Sequence, residues 1–165
     1  MPEMRKDPLR DGWVIIATEQ GLKPQNFPIN KGSVYAEKNL QPCPFCEGHE
    51  EETTPEITAF RRPGTRANQP GWTVRTVTNK FSPFRLVGDF QLEQDGLYTS
   101  HNGLGQHEVV IETTEHGLEF HKFSVEDIEQ VYYMLRSRYQ ALRQDRRIKF
   151  IQIYKNRGLF AGASQ

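Results

Sequence analysis

Two cysteines three positions apart, Cys43 and Cys46 in "PCPFCEG", are the only cysteines of the chain and its most specific chemical feature. A turn of this length brings both sulfurs to one side, where two thiolates can bind one tetrahedral ion at about 2.3 Å. The rival reading is a thioredoxin-like redox pair, which expects a strand before the motif and a helix after it. Here a proline-containing loop precedes it and the acidic "EGHEEE" follows it, so metal binding leads. A metal needs further ligands, and the chain offers His49, His101, His107, His116 and His121. His116, just after the apolar run "HEVVIETTE", is the leading third ligand, because a turn can present it there. His49 is the local competitor, and the other three read as surface or strand histidines. A structural zinc prefers four protein ligands, which leaves this set one short.

The segment "NRGLFAGAS" at 156–164 is the second chemical feature. It is not a P-loop, because Ala163 stands where that motif requires a lysine before the hydroxyl residue. Gly158 and Gly162 would instead let main-chain N–H groups approach an anion, with Asn156 and Ser164 donating hydrogen bonds.

Elements must hold these groups in place. Val14, Ile15 and Ile16 form a short strand after the turn-prone "DPLRDG", and the stretch to Gly32 reads as loop. The segment 51–71 reads as irregular. "WTVRTVTN" at 72–79 alternates and is β-branched, which predicts a strand. "HEVVIET" at 107–113 predicts another, with Val109 and Ile111 on one face and Val110 on the other. Ser124 caps a helix running to about Arg143, and Asp127 three residues on completes a capping-box variant. Val125, Ile128, Val131, Tyr132, Leu135, Tyr139 and Leu142 recur at helical spacing as its expected core face. "IKFIQIY" at 148–154 carries apolar residues on both faces and predicts a central strand covered on both sides. The order of elements gives an α+β domain, a mainly antiparallel sheet with a packed amphipathic helix.

At 165 residues one domain is expected, able to bury roughly two thirds of its unfolded surface. Twenty-one basic and 21 acidic side chains balance, so no net field draws nucleic acid or an anionic membrane. The opening "MPEMRKDPLRDGW" has no apolar signal-peptide core, and "WVIIA" is far too short to span a bilayer. The expected location is cytoplasmic.

Six stretches occur in order: "RKDPLRDGWVIIAT" with "KPQNF" shortly after it, "CPFCEGHEEETTPE", "VRTVTNKFSPF", "GQHEVVIETTEH" and "IQIYKNRGLFAGAS". Together, from Arg5 to Gln165, they resemble the N-terminal half of the galactose-1-phosphate uridylyltransferase family, part of the histidine-triad superfamily. The resemblance implies a two-half enzyme and a histidine-triad-like fold for residues 1–165. It also implies that "AGAS" leads into a His-Pro-His-x-Gln motif just past Gln165. The first histidine there would be the fourth zinc ligand beside Cys43, Cys46 and His116. The second would be the nucleophile, so no catalytic residue falls within these 165 residues and they are not expected to turn over alone. The implied chemistry is a double displacement. UDP-glucose gives up UMP to the histidine, glucose 1-phosphate leaves, and galactose 1-phosphate takes the UMP. Covalent catalysis of this kind divides one hard transfer into two easier ones.

By motif, Asn79 falls in the uridine and ribose pocket, Asn156, Gly162 and Ser164 on the phosphates, and Lys23 where members often carry a basic residue for the nucleotide. Two positions depart from the pattern. Gln20 stands where arginine is common, and Lys80 stands where some members carry an acid for the ribose hydroxyls. An adenylyl-transferring relative such as an ADP-sugar phosphorylase is therefore the alternative within the class, and a non-catalytic zinc- and nucleotide-binding module is the alternative outside it. A homodimer is the assembly that the resemblance implies.

Overall fold

The computed structural model describes residues 2–16 and 43–156. Its strands are β1 (Glu3–Lys6), β2 (Trp13–Ile16), β3 (Glu56–Arg61), β4 (Trp72–Thr78), β5 (Leu92–Asp95), β6 (Tyr98–Asn102) and β7 (Glu108–Ile111), and its helix is α1 (Val125–Leu142). The strands form two antiparallel sheets, ordered β2-β1-β6-β5 and β3-β4-β7. The α+β expectation holds, with two small sheets in place of one.

Strand β4 is the centre of the second sheet, and its β-branched sequence suits a position covered on both faces. On one face Val74 packs with Val131 and Met134 of α1, joined by Phe60, Val110, Phe120, Phe123 and Leu135. On the other, Trp72, Val77 and Ile111 pack with Phe45, Ala59 and Val109. The expected split of β7, Val110 to one side and Val109 with Ile111 to the other, is therefore realised.

The helix starts as its sequence predicts. The Ser124 side chain accepts from the Asp127 backbone N–H, and the Asp127 carboxylate accepts from the Ser124 N–H in return. Its core face is narrower than the apolar spacing indicates. Val131 and Met134 are buried and Leu135 is partly so, whereas Val125, Tyr132 and Tyr139 are exposed. One three-stranded sheet covers only a narrow stripe of a helix, so the flanking apolar residues face away from it. Arg138 fixes the helix to β7 through two 2.8 Å bonds to the Glu108 carboxylate.

Two further expectations are corrected. Residues 51–71 are not irregular throughout, because "EITAFR" forms β3 and pairs with β4. Conversely, residues 148–154 form no ladder with any strand among the described residues, and Phe150 is 78% exposed. A strand exists only through its partner's hydrogen bonds, so apolar β-branched sequence alone does not make one.

Candidate metal centre and nucleotide site

The loop 43–49 lies on the face of the β3-β4-β7 sheet opposite α1, with Phe45 packed against Trp72, Val77 and Ile111. It is a compact knuckle. The Cys46 N–H donates to the Cys43 carbonyl at 3.1 Å, and the His49 N–H to the Cys46 carbonyl at 3.2 Å. Glu47 extends the anchoring by accepting from the Gly71 N–H at 2.6 Å and from Arg62 Nη2 at 2.9 Å.

His116 approaches from the far end of β7. The chain turns over residues 115–118, closed by the Leu118 N–H on the Glu115 carbonyl, with Gly117 at φ +74°, a conformation that suits glycine. The turn leaves His116 Nδ1 3.3 Å from Cys46 Sγ. The ligand atoms of Cys43, Cys46 and His116 all lie within 4.8 Å of one another. Tetrahedral zinc, with Zn–S of about 2.3 Å and Zn–N of about 2.0 Å, needs ligand atoms separated by roughly 3.5–3.8 Å. Two soft thiolates and an imidazole at this spacing fit zinc. His49 is not among these grouped atoms; its Nδ1 meets the Cys43 carbonyl at 2.9 Å. Burial, then the charge of Cys43 and a hydrogen bond with it, push the Cys46 thiol up. Two adjacent thiolates repel unless a cation lies between them.

The nucleotide residues that sequence comparison indicates are described only in part, since Lys23, Gly162 and Ser164, like Gln20, lie outside the described residues. Asn79 sits just past β4. Its Oδ1 accepts from the Phe81 N–H at 2.8 Å, and its own N–H donates to the His107 carbonyl at 2.8 Å. Its Nδ2 lies 3.4 and 3.5 Å from the two ring nitrogens of His107. The Tyr154 hydroxyl meets His107 Nε2 at 3.1 Å, and Lys155 forms an ion pair with Glu112. Tyr154, two residues before Asn156, thus meets the same imidazole as Asn79. His107 and Tyr154 were not singled out by sequence. The signal available was His107 at the head of the β7 motif.

Burial holds the His107 imidazole below its ordinary 6.5. The unfolded chain therefore takes up a proton near that pH more readily than the folded chain, so acidification through this window favours unfolding. The urea midpoint of the protein is expected to fall from pH 6.5 downwards, and less steeply in a His107→Asn variant. Parallel profiles for the two proteins would remove His107 as the cause.

Comparison with known proteins gives the family. Residues 2–165 match the family described as galactose-1-phosphate uridyl transferase, N-terminal domain. Over 167 aligned residues the chain is 33% identical to an ADP-glucose phosphorylase of Arabidopsis thaliana, covering 99% of this chain and 45% of that protein. A crystal structure of an ADP-glucose phosphorylase from the same plant, with ADP-glucose bound, superposes with a TM-score of 0.58 at 28% identity, over 99% of this chain and 45% of the other. A GALT-like protein of Arabidopsis thaliana gives 0.61 at 29% identity, over 99% and 44%. A uridylyltransferase mutant shares the fold at 0.65 and 18% identity, over 98% and 41%. The chain thus spans a little under half the length of these relatives.

Antiparallel sheets, one packed helix and this sequence match define a nucleotidyltransferase-type α+β domain. The chain belongs to the galactose-1-phosphate uridyl transferase family and carries its N-terminal domain.

Proposed function

We propose that the protein transfers a nucleotidyl group from a nucleotide sugar and that adenine is the base it takes. The observation carrying this reading is the 33% identity over 99% of the chain to a protein named ADP-glucose phosphorylase, against 18% and 20% for the uridylyltransferase structures. In the reaction so implied, the bond between the α-phosphorus and the glucose 1-phosphate oxygen breaks, phosphate receives the AMP group, and ADP forms. The original expectation, UMP transfer between UDP-glucose and galactose 1-phosphate, is the second reading, favoured by the family description.

The described residues support a nucleoside contact at Asn79. A side-chain amide has two N–H donors; the imidazole of His107 occupies at most one, so the other can reach a ribose or base acceptor. Lys80, in place of an acid, changes the charge at the ribose. On the family pattern, Asn156, Gly162, Ser164 and Lys23 would meet the phosphates.

Cys43, Cys46 and His116 would hold zinc. Bound there, the ion supplies a cross-link between the knuckle and the end of β7, without a part in bond breaking.

Equilibrium titration of the protein with ADP-glucose and UDP-glucose, together with release of glucose 1-phosphate in the presence of phosphate or galactose 1-phosphate, tests the proposal. ADP-glucose is expected to bind at least tenfold tighter, a difference of about 1.4 kcal/mol. The reverse preference would establish the uridylyl reading. Binding without turnover in the full-length protein would point to a non-catalytic nucleotide-binding module.

A further inference from the structure

The knuckle is followed by an acid in an unusual setting. Glu50 is 5% exposed, and buried carboxylates are rare unless paired. Its Oε1 accepts from the Trp72 indole Nε1–H at 2.7 Å and from the Gly48 N–H at 3.1 Å, and its Oε2 lies 3.2 Å from the same N–H. Its own carbonyl accepts from the Thr53 hydroxyl at 2.9 Å and from Arg75 Nη2 at 3.4 Å. Trp72 and Arg75 both belong to β4, the central strand. Gly48 belongs to the knuckle and holds φ +94°, a backbone state that the carboxylate fixes through its N–H. Glu50 is not a ligand candidate, since the metal group comprises Cys43, Cys46 and His116.

We propose that Glu50 is the positioning residue of the metal centre: it clamps the Cys43–His49 loop to β4, so that both sulfurs already face His116 before an ion arrives. This rests on reading Cys43, Cys46 and His116 as zinc ligands. The two sides of the centre reach it by different routes. His116 is carried by β7, which β4 holds in register through Arg75↔Ile111 and Val77↔Val109, while the cysteines lie 26 or more residues before β4 in sequence. The Glu50 carboxylate joins the loop to the same strand that holds β7. A carboxylate suits the task better than an amide. Glutamine at this position would put an NH₂ group against the Gly48 N–H, donor facing donor. Burial pushes the Glu50 carboxyl up, but the bonds from Trp72 and Gly48 and the nearby Arg75 charge outweigh it and hold the acid ionised.

Zinc affinity measured by chelator competition on the full chain tests this, with Glu50→Gln beside Glu51→Gln, which makes the same charge change at an exposed neighbour. Glu50→Gln is expected to weaken zinc 10–100-fold, the usual effect of losing an outer partner of a metal site, and Glu51→Gln less than about twofold. Cobalt substitution separates positioning from ligation. The thiolate-to-metal absorption of the saturated Glu50→Gln protein should match that of the wild type, because the same sulfurs bind. If Glu50→Gln does not fold, Trp72→Phe removes the indole donor while keeping the loop sequence, and should weaken zinc in the same direction. Unchanged affinity in the folded variants overturns the proposal while leaving the metal reading intact. A wild-type protein that binds no zinc overturns the metal reading, and the proposal with it.

Discussion

Cys46→Ser is expected to reduce bound zinc from about one ion per chain to below roughly a tenth. Cys46 is a candidate ligand close to both others, with His116 Nδ1 3.3 Å from its sulfur and Cys43 Sγ inside the same 4.8 Å group. A serine hydroxyl is a much poorer partner for zinc than a thiolate, and the remaining cysteine and histidine make at most a two-point site. His116→Ala should weaken binding by more than tenfold yet leave residual metal, since the chelating cysteine pair survives. Metal analysis after dialysis, with far-ultraviolet circular dichroism beside it, decides the matter. The knuckle is also held by Phe45 in the core and by Glu47 on Gly71 and Arg62, so the sheets should remain folded when the metal is lost. Undiminished zinc in both variants would show that the ligands lie elsewhere.

Trp72→Ala should be the most destabilising single change in the described core. Trp72 is 1% exposed, fills the face of the sheet opposite the helix, and donates its indole N–H to Glu50. Truncating a buried aromatic of this size costs about 3–5 kcal/mol. A small domain has only about 5–15 kcal/mol of net stability. The alanine variant is therefore expected to lose roughly a fifth or more of its stability, seen as a large fall in urea midpoint, and to expose the knuckle. Trp72→Phe keeps most of the volume and removes only the donor, which should cost about 1–3 kcal/mol for the carboxylate left short of a partner. An alanine variant within 1 kcal/mol of the wild type would mean that the core does not centre on β4.

The sequence by itself determined the features whose cause is local. The Ser124 and Asp127 capping box, the strands at 72–78 and 108–111 and the side assignment of Val109, Val110 and Ile111 all follow from spacing and side-chain type within a few residues, and the structure keeps them. Cys43 and Cys46 were legible as a candidate metal pair for the same reason, because a tight turn brings them together whatever the rest of the chain does. Strands β5 and β6 carried a legible but overlooked sign, Asp95-Gly96 between "LEQ" and "LYTSHN", where Gly96 takes φ +57° in a hairpin. Their residues lack apolar alternation, so periodicity alone did not reveal them. What tertiary structure decided was every choice that depends on a distant partner. It brought His116, rather than His49, beside the cysteine pair, because β7 and its turn deliver His116 from 70 residues away. It set which helix residues are core, leaving Tyr132 and Tyr139 outside and placing Met134 within, since the width of the facing sheet limits what a helix can bury. It also left 148–154 without a ladder among the described residues despite strong strand composition, and turned Glu50 from one acid in an acidic run into a buried anchor. Periodicity reports what a segment could pair with or bury, and only the folded chain supplies the partner that makes it so.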